Sequence, residues 1–151
     1  TIGTQAPFDR FLKIVDEVAA DIDEEIVAQV YKSHYTAKNI KTVDFLPPDK
    51  FQELFRSARM IVAHAGMGTI ISAMQQEKPI IVFPRIAKLG EHRNEHQLAT
   101  AEKMKELGYV YVANDADELR MLLTNLDLKP LHKLGEYASQ TMIDEIHKVI
   151  G

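Results

Sequence analysis

The residues with the clearest chemical pattern form a glycine turn, His64-Ala-Gly66-Met-Gly68-Thr69, which follows the apolar run 60–63. Because glycine has no side chain, Gly66 and Gly68 allow a ligand to approach the backbone closely, and Thr69 adds a hydroxyl group. A helix that begins in this turn presents its first N–H groups and the positive end of its dipole. The pattern therefore predicts an anion-binding turn that can cradle a diphosphate.

The same two glycines also suit a tight strand-to-helix turn that binds nothing. The pattern is not the dinucleotide-binding fingerprint, because no third glycine follows and Phe83-Pro84 stands where an acidic residue would end the next strand. It is not the phosphate-binding loop of ATPases, because the sequence contains no Gly-Lys-Ser/Thr. Nicotinamide enzymes and ATPases are therefore disfavoured.

A second polar stretch, residues 84–97, follows the apolar run 80–83 and leads into a helical pattern. Such a density of hydrogen-bonding side chains at the carboxyl end of a strand suits a polyhydroxylated ligand, although a solvated loop fits as well. Glu91, His92 and His96 lack the spacing of metal motifs such as H-E-x-x-H. No metal site is predicted.

Short apolar runs alternate with longer segments of helical period, which is typical of βαβ units around a parallel sheet. Strands are predicted at 26–31, 42–46, 60–63, 80–83 and 109–112, with Ile2 at the end of an earlier one. Helices are predicted at about 8–19, 51–58, 66–76, 94–107, 119–126 and 138–150, and Gly108 is expected to close the fourth. The predicted fold is α/β, a single Rossmann-like, doubly wound parallel sheet that forms one domain over 1–151.

Length and composition agree with one globular domain, since the chain has 151 residues, 46% hydrophobic and 26% charged. The net charge of -4 predicts no nucleic-acid partner. The absence of cysteine excludes disulfides, thiolate metal sites and cysteine nucleophiles. No apolar window approaches the roughly 20 residues that span a bilayer. We therefore expect a cytoplasmic protein without direct membrane insertion.

Four blocks of the sequence together resemble a known family: residues 2–10, 64–69, 78–84 and 96–101. They are similar to the glycosyltransferase family 28 C-terminal domain, which is the nucleotide-sugar-binding half of GT-B glycosyltransferases. The resemblance covers nearly the whole chain. Because the chain is a single half, it looks most like the split subunits of this family, which act in dolichol-linked glycan synthesis and in bacterial capsule and exopolysaccharide synthesis.

The resemblance implies that a UDP-sugar donor lies along the carboxyl ends of the strands. The implied contacts are Gly3, Thr4 and Gln5 on the phosphate side; the backbone of Phe45 and Leu46 at the uracil; His64, Gly66, Met67, Gly68 and Thr69 at the diphosphate; Ser72 at the ribose; and Glu95, His96 and Gln97 at the sugar hydroxyls. Ser72 departs from the family, in which a glutamate commonly binds the ribose. A serine lacks the bidentate acceptor geometry of a carboxylate.

The implied reaction is inverting transfer of a hexose or N-acetylhexosamine to a lipid-linked acceptor in polysaccharide synthesis, with no cofactor and no metal. The general base is expected on a membrane-anchored, acceptor-binding partner subunit, which would recruit this chain to the inner face of the membrane. Glu91 and His92 are minor catalytic candidates, and the last helix is a candidate docking element. Two alternatives are a non-catalytic nucleotide-sugar-binding or regulatory module and an epimerase-like enzyme, which would need both GT-B halves.

Overall fold

Helices and strands alternate along the chain, as the sequence pattern predicts. The structure, a computed structural model, describes residues 8–31, 33–91, 96–125 and 127–130. The helices are α1 (Asp9–Ala19), α2 (Pro48–Ser57), α3 (Met67–Gln75), α4 (His96–Glu106) and α5 (Ala116–Leu123). The strands are β1 (Val27–Gln29), β2 (Lys41–Val43), β3 (Ile61–Ala63), β4 (Ile80–Val82) and β5 (Tyr111–Val112). The predicted strand end at Ile2 and the predicted helix over 138–150 lie outside the described residues.

All strand pairs in the described residues are parallel. β1 pairs with β2, and β4 lies between β3 and β5 in a three-stranded sheet. The α/β class with parallel pairing is therefore confirmed. The hydrogen bonds of the described strands form two sheets, of two and three strands, where the sequence predicts a single sheet.

Helices cover both faces of the three-stranded sheet, which is the doubly wound arrangement. Successive side chains of β4 and the residue after it point to opposite faces. Ile81 and Phe83 belong to a core with residues of α1 and α5, whereas Ile80 and Val82 belong to a second core with residues of α3 and α4. The carboxyl ends of β3, β4 and β5 consequently meet at one edge of the sheet.

Two loop details at the helix ends also follow from the sequence. Gly108, with φ of 77°, closes α4 in the left-handed conformation that we predict for it. Helix α5 begins at Ala116, a few residues before the predicted start, because the Asp115 side chain accepts a hydrogen bond from the Glu118 N–H and caps the helix.

A mostly apolar cavity of about 430 Å³ lies between β1 and β3. It is lined by Phe11 and Val15 of α1 and Phe55 of α2, and it extends to the residues that precede both strands. Of the predicted site residues that the structure describes, Leu46 alone lines it. The cavity is therefore separate from the glycine turn at the carboxyl end of β3.

Candidate functional site

The glycine turn connects β3 to α3 as predicted. Gly66 has extended backbone angles (φ -90°, ψ 128°) and occupies the N-cap position, and Met67 is the first helical residue. A hydrogen bond from the Gly66 N–H to the His64 carbonyl, at 2.8 Å, closes the turn, and the first helical bond runs from the Ile70 N–H to the Gly66 carbonyl. Gly66 offers no side-chain acceptor, so it does not cap the N–H groups of Met67, Gly68 and Thr69.

The lack of a side chain has different consequences at the two glycines of the turn. A Cβ atom on Gly66 would lie 2.5 Å from Cε1 and 2.7 Å from Nε2 of His64, so the imidazole ring occupies the space that a side chain would need. A Cβ on Gly68 would meet no atom within 4 Å, and the residue is exposed. Packing within the described chain therefore explains Gly66, whereas Gly68 leaves open space beside the start of α3.

A hydrogen-bonded chain links His64 to the loop that follows β4. The Arg85 backbone N–H donates to Gln97 Oε1 at 3.3 Å, and Gln97 Nε2 lies 3.1 Å from His64 Nδ1. Gln97 is 8% exposed, and both ends of its amide have partners within the protein. The structure thus brings His64 and Gln97 together, while the predicted contact of Gln97 with sugar hydroxyls stays a prediction.

The loop after β4 is tied to α1 by an ion pair. Arg10 donates from Nε to Glu91 Oε2 at 2.8 Å and from Nη2 to Glu91 Oε1 at 3.0 Å, which is a bidentate arrangement. Glu91 Oε1 also accepts from the Ile86 N–H at 3.0 Å. Because the carboxylate is occupied by these donors, its geometry favours a structural role for Glu91 over the catalytic role considered from the sequence.

Arg85 places a second cation in the same region. Its side chain donates from Nη1 to the Glu91 carbonyl, and its guanidinium lies 4.7 Å above the centre of the Phe8 ring. Burial lowers the pKa of Arg85, and the negative charge of Glu91 partly opposes that shift. Arginine nevertheless stays charged at neutral pH, so the loop after β4 carries a buried positive charge that packs against Phe8.

Arg10 and Arg85 were not among the residues predicted for the site. Arg10 belongs to the 2–10 block of the family resemblance, and Arg85 belongs to the polar stretch after β4, so both lie in segments that the sequence marks. Their contacts were not predictable, because 81 positions separate Arg10 from Glu91 along the chain.

The other predicted residues are placed as follows. Phe45 and Leu46 follow β2, with Phe45 61% exposed, and Ser72 is half-buried in α3. His96 is the first residue of α4. Gly3, Thr4, Gln5, His92 and Glu95 lie outside the described residues. The structure therefore shows that the predicted glycine turn forms, and the predicted diphosphate, uracil, ribose and sugar contacts all stay predictions.

Two further properties of the described ranges bear on the other expectations. They contain no group of three or more His, Asp or Glu side chains arranged to hold a metal ion. None of their helices combines the length and the apolar character needed to cross a bilayer. The expectation that no metal takes part stays a prediction.

Fold and turn together define a doubly wound α/β domain with an uncapped helix N-terminus at the carboxyl edge of its sheet. The sequence profile described as "Glycosyltransferase family 28 C-terminal domain" matches residues 3–150. The chain therefore belongs to the glycosyltransferase family 28 C-terminal domain family. This match confirms the family recognised from the sequence.

Two yeast proteins are similar to the chain, and both are named UDP-N-acetylglucosamine transferase subunit ALG13. The one from Eremothecium gossypii is 28% identical over 141 residues, which cover 88% of this chain and 68% of that protein. The one from Saccharomyces cerevisiae is 32% identical over 73 residues, which cover 48% of this chain and 34% of that protein.

Solved structures of larger glycosyltransferases share the fold. Spinosyn forosaminyltransferase SpnP matches with a TM-score of 0.58 and 19% identity, over 94% of this chain and 34% of that one. The glycotransferase of kitacinnamycin matches with a TM-score of 0.58 and 18% identity, over 99% of this chain and 37% of that one. The chain thus spans about a third of these enzymes, and at such identity the similarity shows the fold alone.

Proposed function

We propose that this chain is the donor-binding subunit of a two-component inverting glycosyltransferase. It binds a UDP-sugar, and together with a partner it moves a hexose or N-acetylhexosamine to a lipid-linked acceptor in polysaccharide synthesis. The observation that carries the proposal is the open start of α3, where Gly66 provides no cap and Gly68 leaves space that no side chain of the described residues fills. Family membership and the names of the yeast relatives support the choice of donor.

The diphosphate of the donor would lie against the N–H groups of Met67, Gly68 and Thr69. No acidic residue occupies the first turn of α3, so no negative charge of that turn competes with the ligand. Backbone donors at a helix N-terminus stabilise an anion best when they are already in place, and the turn is held by its own hydrogen bonds. As the bond to the sugar breaks, the charge that develops on the departing UDP would be stabilised by these donors without a metal.

The remaining contacts complete the proposed donor site. Gly3, Thr4 and Gln5 would line the phosphate side, the backbone of Phe45 and Leu46 would bind the uracil, and Ser72 would bind the ribose. Glu95 and His96 would bind the sugar hydroxyls.

The acceptor and the general base belong to the partner in this proposal. Glu91, a minor catalytic candidate, is bound to Arg10 and to the Ile86 N–H, so it lacks the freedom that a base needs. The partner would be a membrane-anchored, acceptor-binding subunit that recruits this chain to the cytoplasmic face of the membrane. The chain alone should therefore bind donor without transferring sugar.

Calorimetric titration with UDP, UDP-glucose, UDP-galactose and UDP-N-acetylglucosamine tests donor binding, with ADP as the comparison nucleotide. We expect UDP and at least one UDP-sugar to bind, and ADP to bind at least tenfold more weakly. Failure of UDP to bind, or equal binding of ADP, would contradict the proposal.

A pair of variants tests where the diphosphate lies. Gly68→Leu fills the open space at the start of α3 and should weaken UDP binding at least tenfold, which corresponds to about 1.4 kcal/mol. Ala116→Leu places the same side chain on the exposed first turn of α5 and should leave UDP binding unchanged. If both variants bind UDP as the wild type does, the diphosphate does not lie at α3. If sugar transfer by the partner complex survives Gly68→Leu unchanged, nucleotide binding is regulatory.

A further inference from the structure

We propose that Gln97 is a positioning residue, which holds His64 as a neutral imidazole with its proton on Nε2. The benefit to donor binding rests on the function proposed above, whereas the protonation state itself does not depend on it.

The orientation of the Gln97 amide is determined by a backbone group. The Arg85 N–H is always a donor, so the atom that faces it at 3.3 Å must be the amide oxygen. The flipped amide would place two donors against each other in a site where Gln97 is 8% exposed, and water has little access to satisfy them. The amide nitrogen of Gln97 therefore faces His64.

The amide nitrogen has only hydrogens to offer, so His64 Nδ1, at 3.1 Å, must accept. A ring nitrogen accepts only when it carries a lone pair, so Nδ1 is unprotonated and the proton of the neutral ring is on Nε2. An imidazolium has a hydrogen on both nitrogens and would lose this bond. The link Arg85 N–H, Gln97, His64 thus selects one tautomer of the histidine.

The ring is also located against the glycine turn. Because Nε2 and Cε1 lie 2.7 Å and 2.5 Å from the place of a Cβ on Gly66, the side of the ring that carries the proton packs over Gly66. Met67, the residue after Gly66, begins α3. The protonated side of the His64 ring therefore lies against the glycine turn, where the ring orientation that Gln97 holds would shape the proposed diphosphate site.

Nitrogen-15 NMR of the histidine side chains of the full chain tests the proposal without any ligand. His64→Gln assigns the His64 signals. At neutral pH, we expect Nδ1 of His64 to show the shift of an unprotonated ring nitrogen and Nε2 that of a protonated one. A protonated Nδ1 in the wild-type protein, as the other tautomer or as imidazolium, would overturn the proposal.

Substitution of Gln97 should move that proton. In Gln97→Glu, a carboxylate accepts from both the Arg85 N–H and the histidine, so Nδ1 should become protonated. Exposed Gln52→Glu introduces the same charge on α2 and should leave the His64 signals unchanged. An unchanged His64 spectrum in folded Gln97→Glu would contradict the positioning role, and if that variant does not fold, the wild-type spectrum decides alone.

The His64 tautomer and the UDP affinity are measured separately, so the two results distinguish this inference from the proposed function. Gln97→Met removes the amide and keeps the side-chain length, so the ring should sample both tautomers and UDP affinity should fall about threefold. If the wild type shows the expected tautomer but binds no UDP, the donor-binding proposal fails and the role of Gln97 stands. If UDP binds while Nδ1 carries the proton, the role of Gln97 fails and donor binding stands.

Discussion

Helices α3 and α5 both start at the carboxyl edge of the three-stranded sheet, yet their first turns are built in opposite ways. At α5, Asp115 accepts from the Glu118 N–H at 2.8 Å, and Glu118 accepts from the Asn114 N–H at 2.8 Å. At α3, the N-cap is a glycine and no acidic residue occupies the first turn. The chain uses its own carboxylates to cap the start of α5 and leaves the start of α3 without a side-chain cap.

A third group of backbone donors is closed in the same way as α5. Asp16 of α1 is 2% exposed and accepts from the Asn39 N–H at 2.7 Å, from the Lys38 N–H and from the Tyr35 hydroxyl. A carboxylate therefore fixes the segment before β2 to α1. The backbone donors before β2 and at the start of α5 are thus bound by carboxylates of the chain, whereas a glycine precedes the donors at the start of α3, where we propose that the ligand binds.

The largest loss of stability and of UDP binding is expected from Gly66→Ala, which changes the glycine turn itself. The new Cβ would lie 2.5 Å from the His64 ring, so the ring must leave its place and its bond to Gln97. We expect the free energy of unfolding to fall by about 1–3 kcal/mol and UDP binding to weaken at least tenfold. Urea denaturation and calorimetry measure the two effects. The double variant His64→Ala/Gly66→Ala should regain stability, and a single variant as stable as the wild type would show that the ring does not constrain Gly66.

The second effect concerns the carboxylate that closes the segment before β2. Asp16→Asn places an amide group against several donors, so one of them loses its acceptor. The free energy of unfolding should fall by about 1–3 kcal/mol, as measured by urea denaturation, while UDP binding stays unchanged. A fall in UDP affinity without a fall in stability would break the distinction between closed and open donors.

The pH dependence of the same carboxylate sharpens this test. Burial raises the pKa of Asp16, but the hydrogen bonds from Tyr35, Asn39 and Lys38 outweigh it and hold the pKa below its usual value. The folded state therefore resists protonation, so the stabilisation is present above about pH 4 and is lost as pH falls through the lowered pKa. Asp16→Asn should reduce this loss of the free energy of unfolding at acid pH. Urea denaturation repeated from about pH 6 to about pH 2, a range around the usual aspartate pKa of about 4, measures it.

Tyr35 should make the stability of the fold depend on pH in the alkaline range as well. Its hydrogen bond to Asp16 raises the pKa of Tyr35 to about 12 from 10.0. A raised pKa stabilises the fold below the unfolded value, so this contribution is lost as pH rises from about 10 to about 12. Tyr35→Phe should remove this loss of stability at alkaline pH. An identical dependence of stability on pH in both proteins would contradict the assignment.

A smaller effect is expected at the closed helix start. Asp115→Ala removes the cap of α5 and should lower the free energy of unfolding by about 1 kcal/mol, with UDP binding unaffected. Asp115→Ser keeps an acceptor oxygen and should recover most of the loss. Thermal unfolding of the three proteins provides the comparison, and equal stabilities would show that the cap contributes nothing.

The smallest change in stability is expected from Gly68→Ala, and it is a gain where the other substitutions cause a loss. A methyl group at this helical position meets no atom within 4 Å, so the substitution should raise stability by about 0.4–1 kcal/mol. UDP binding should weaken about threefold, because the methyl group enters the space left for the ligand. A variant that is more stable and binds UDP as tightly as the wild type would place the diphosphate elsewhere.

Local patterns predicted the fold better than the reasons for individual site residues. Apolar periodicity and Gly108 located α4 to within a few residues, because both act within one element. The glycine pattern predicted the start of α3, but it offered the same two explanations for Gly66 and Gly68, a ligand or a tight turn, and could not distinguish the two positions. The His64 ring that excludes a side chain at Gly66 depends on a side-chain orientation that spacing does not encode.

Contacts across long sequence separations were the part that could not be predicted. The ion pair between Arg10 and Glu91 joins the start of α1 to the loop after β4, and Gln97 reaches back to His64 over 33 positions. Such pairs form only after the sheet brings its strand ends together. Polar composition alone could mark residues 84–97 as a binding loop without showing which of its side chains face inward.

The link between Arg10 and Glu91 has a practical consequence for exchanging the loop after β4 with that of a relative. The loop over 84–91 carries the acceptor for Arg10 and the cation Arg85, which lies over Phe8 just before α1. Replacing that loop with the loop of a relative would remove Arg85 from Phe8. It would also leave the half-buried Arg10 without the Glu91 carboxylate. The first turn of α1 and the loop after β4 form one exchangeable module, and chimaeras should be cut outside both.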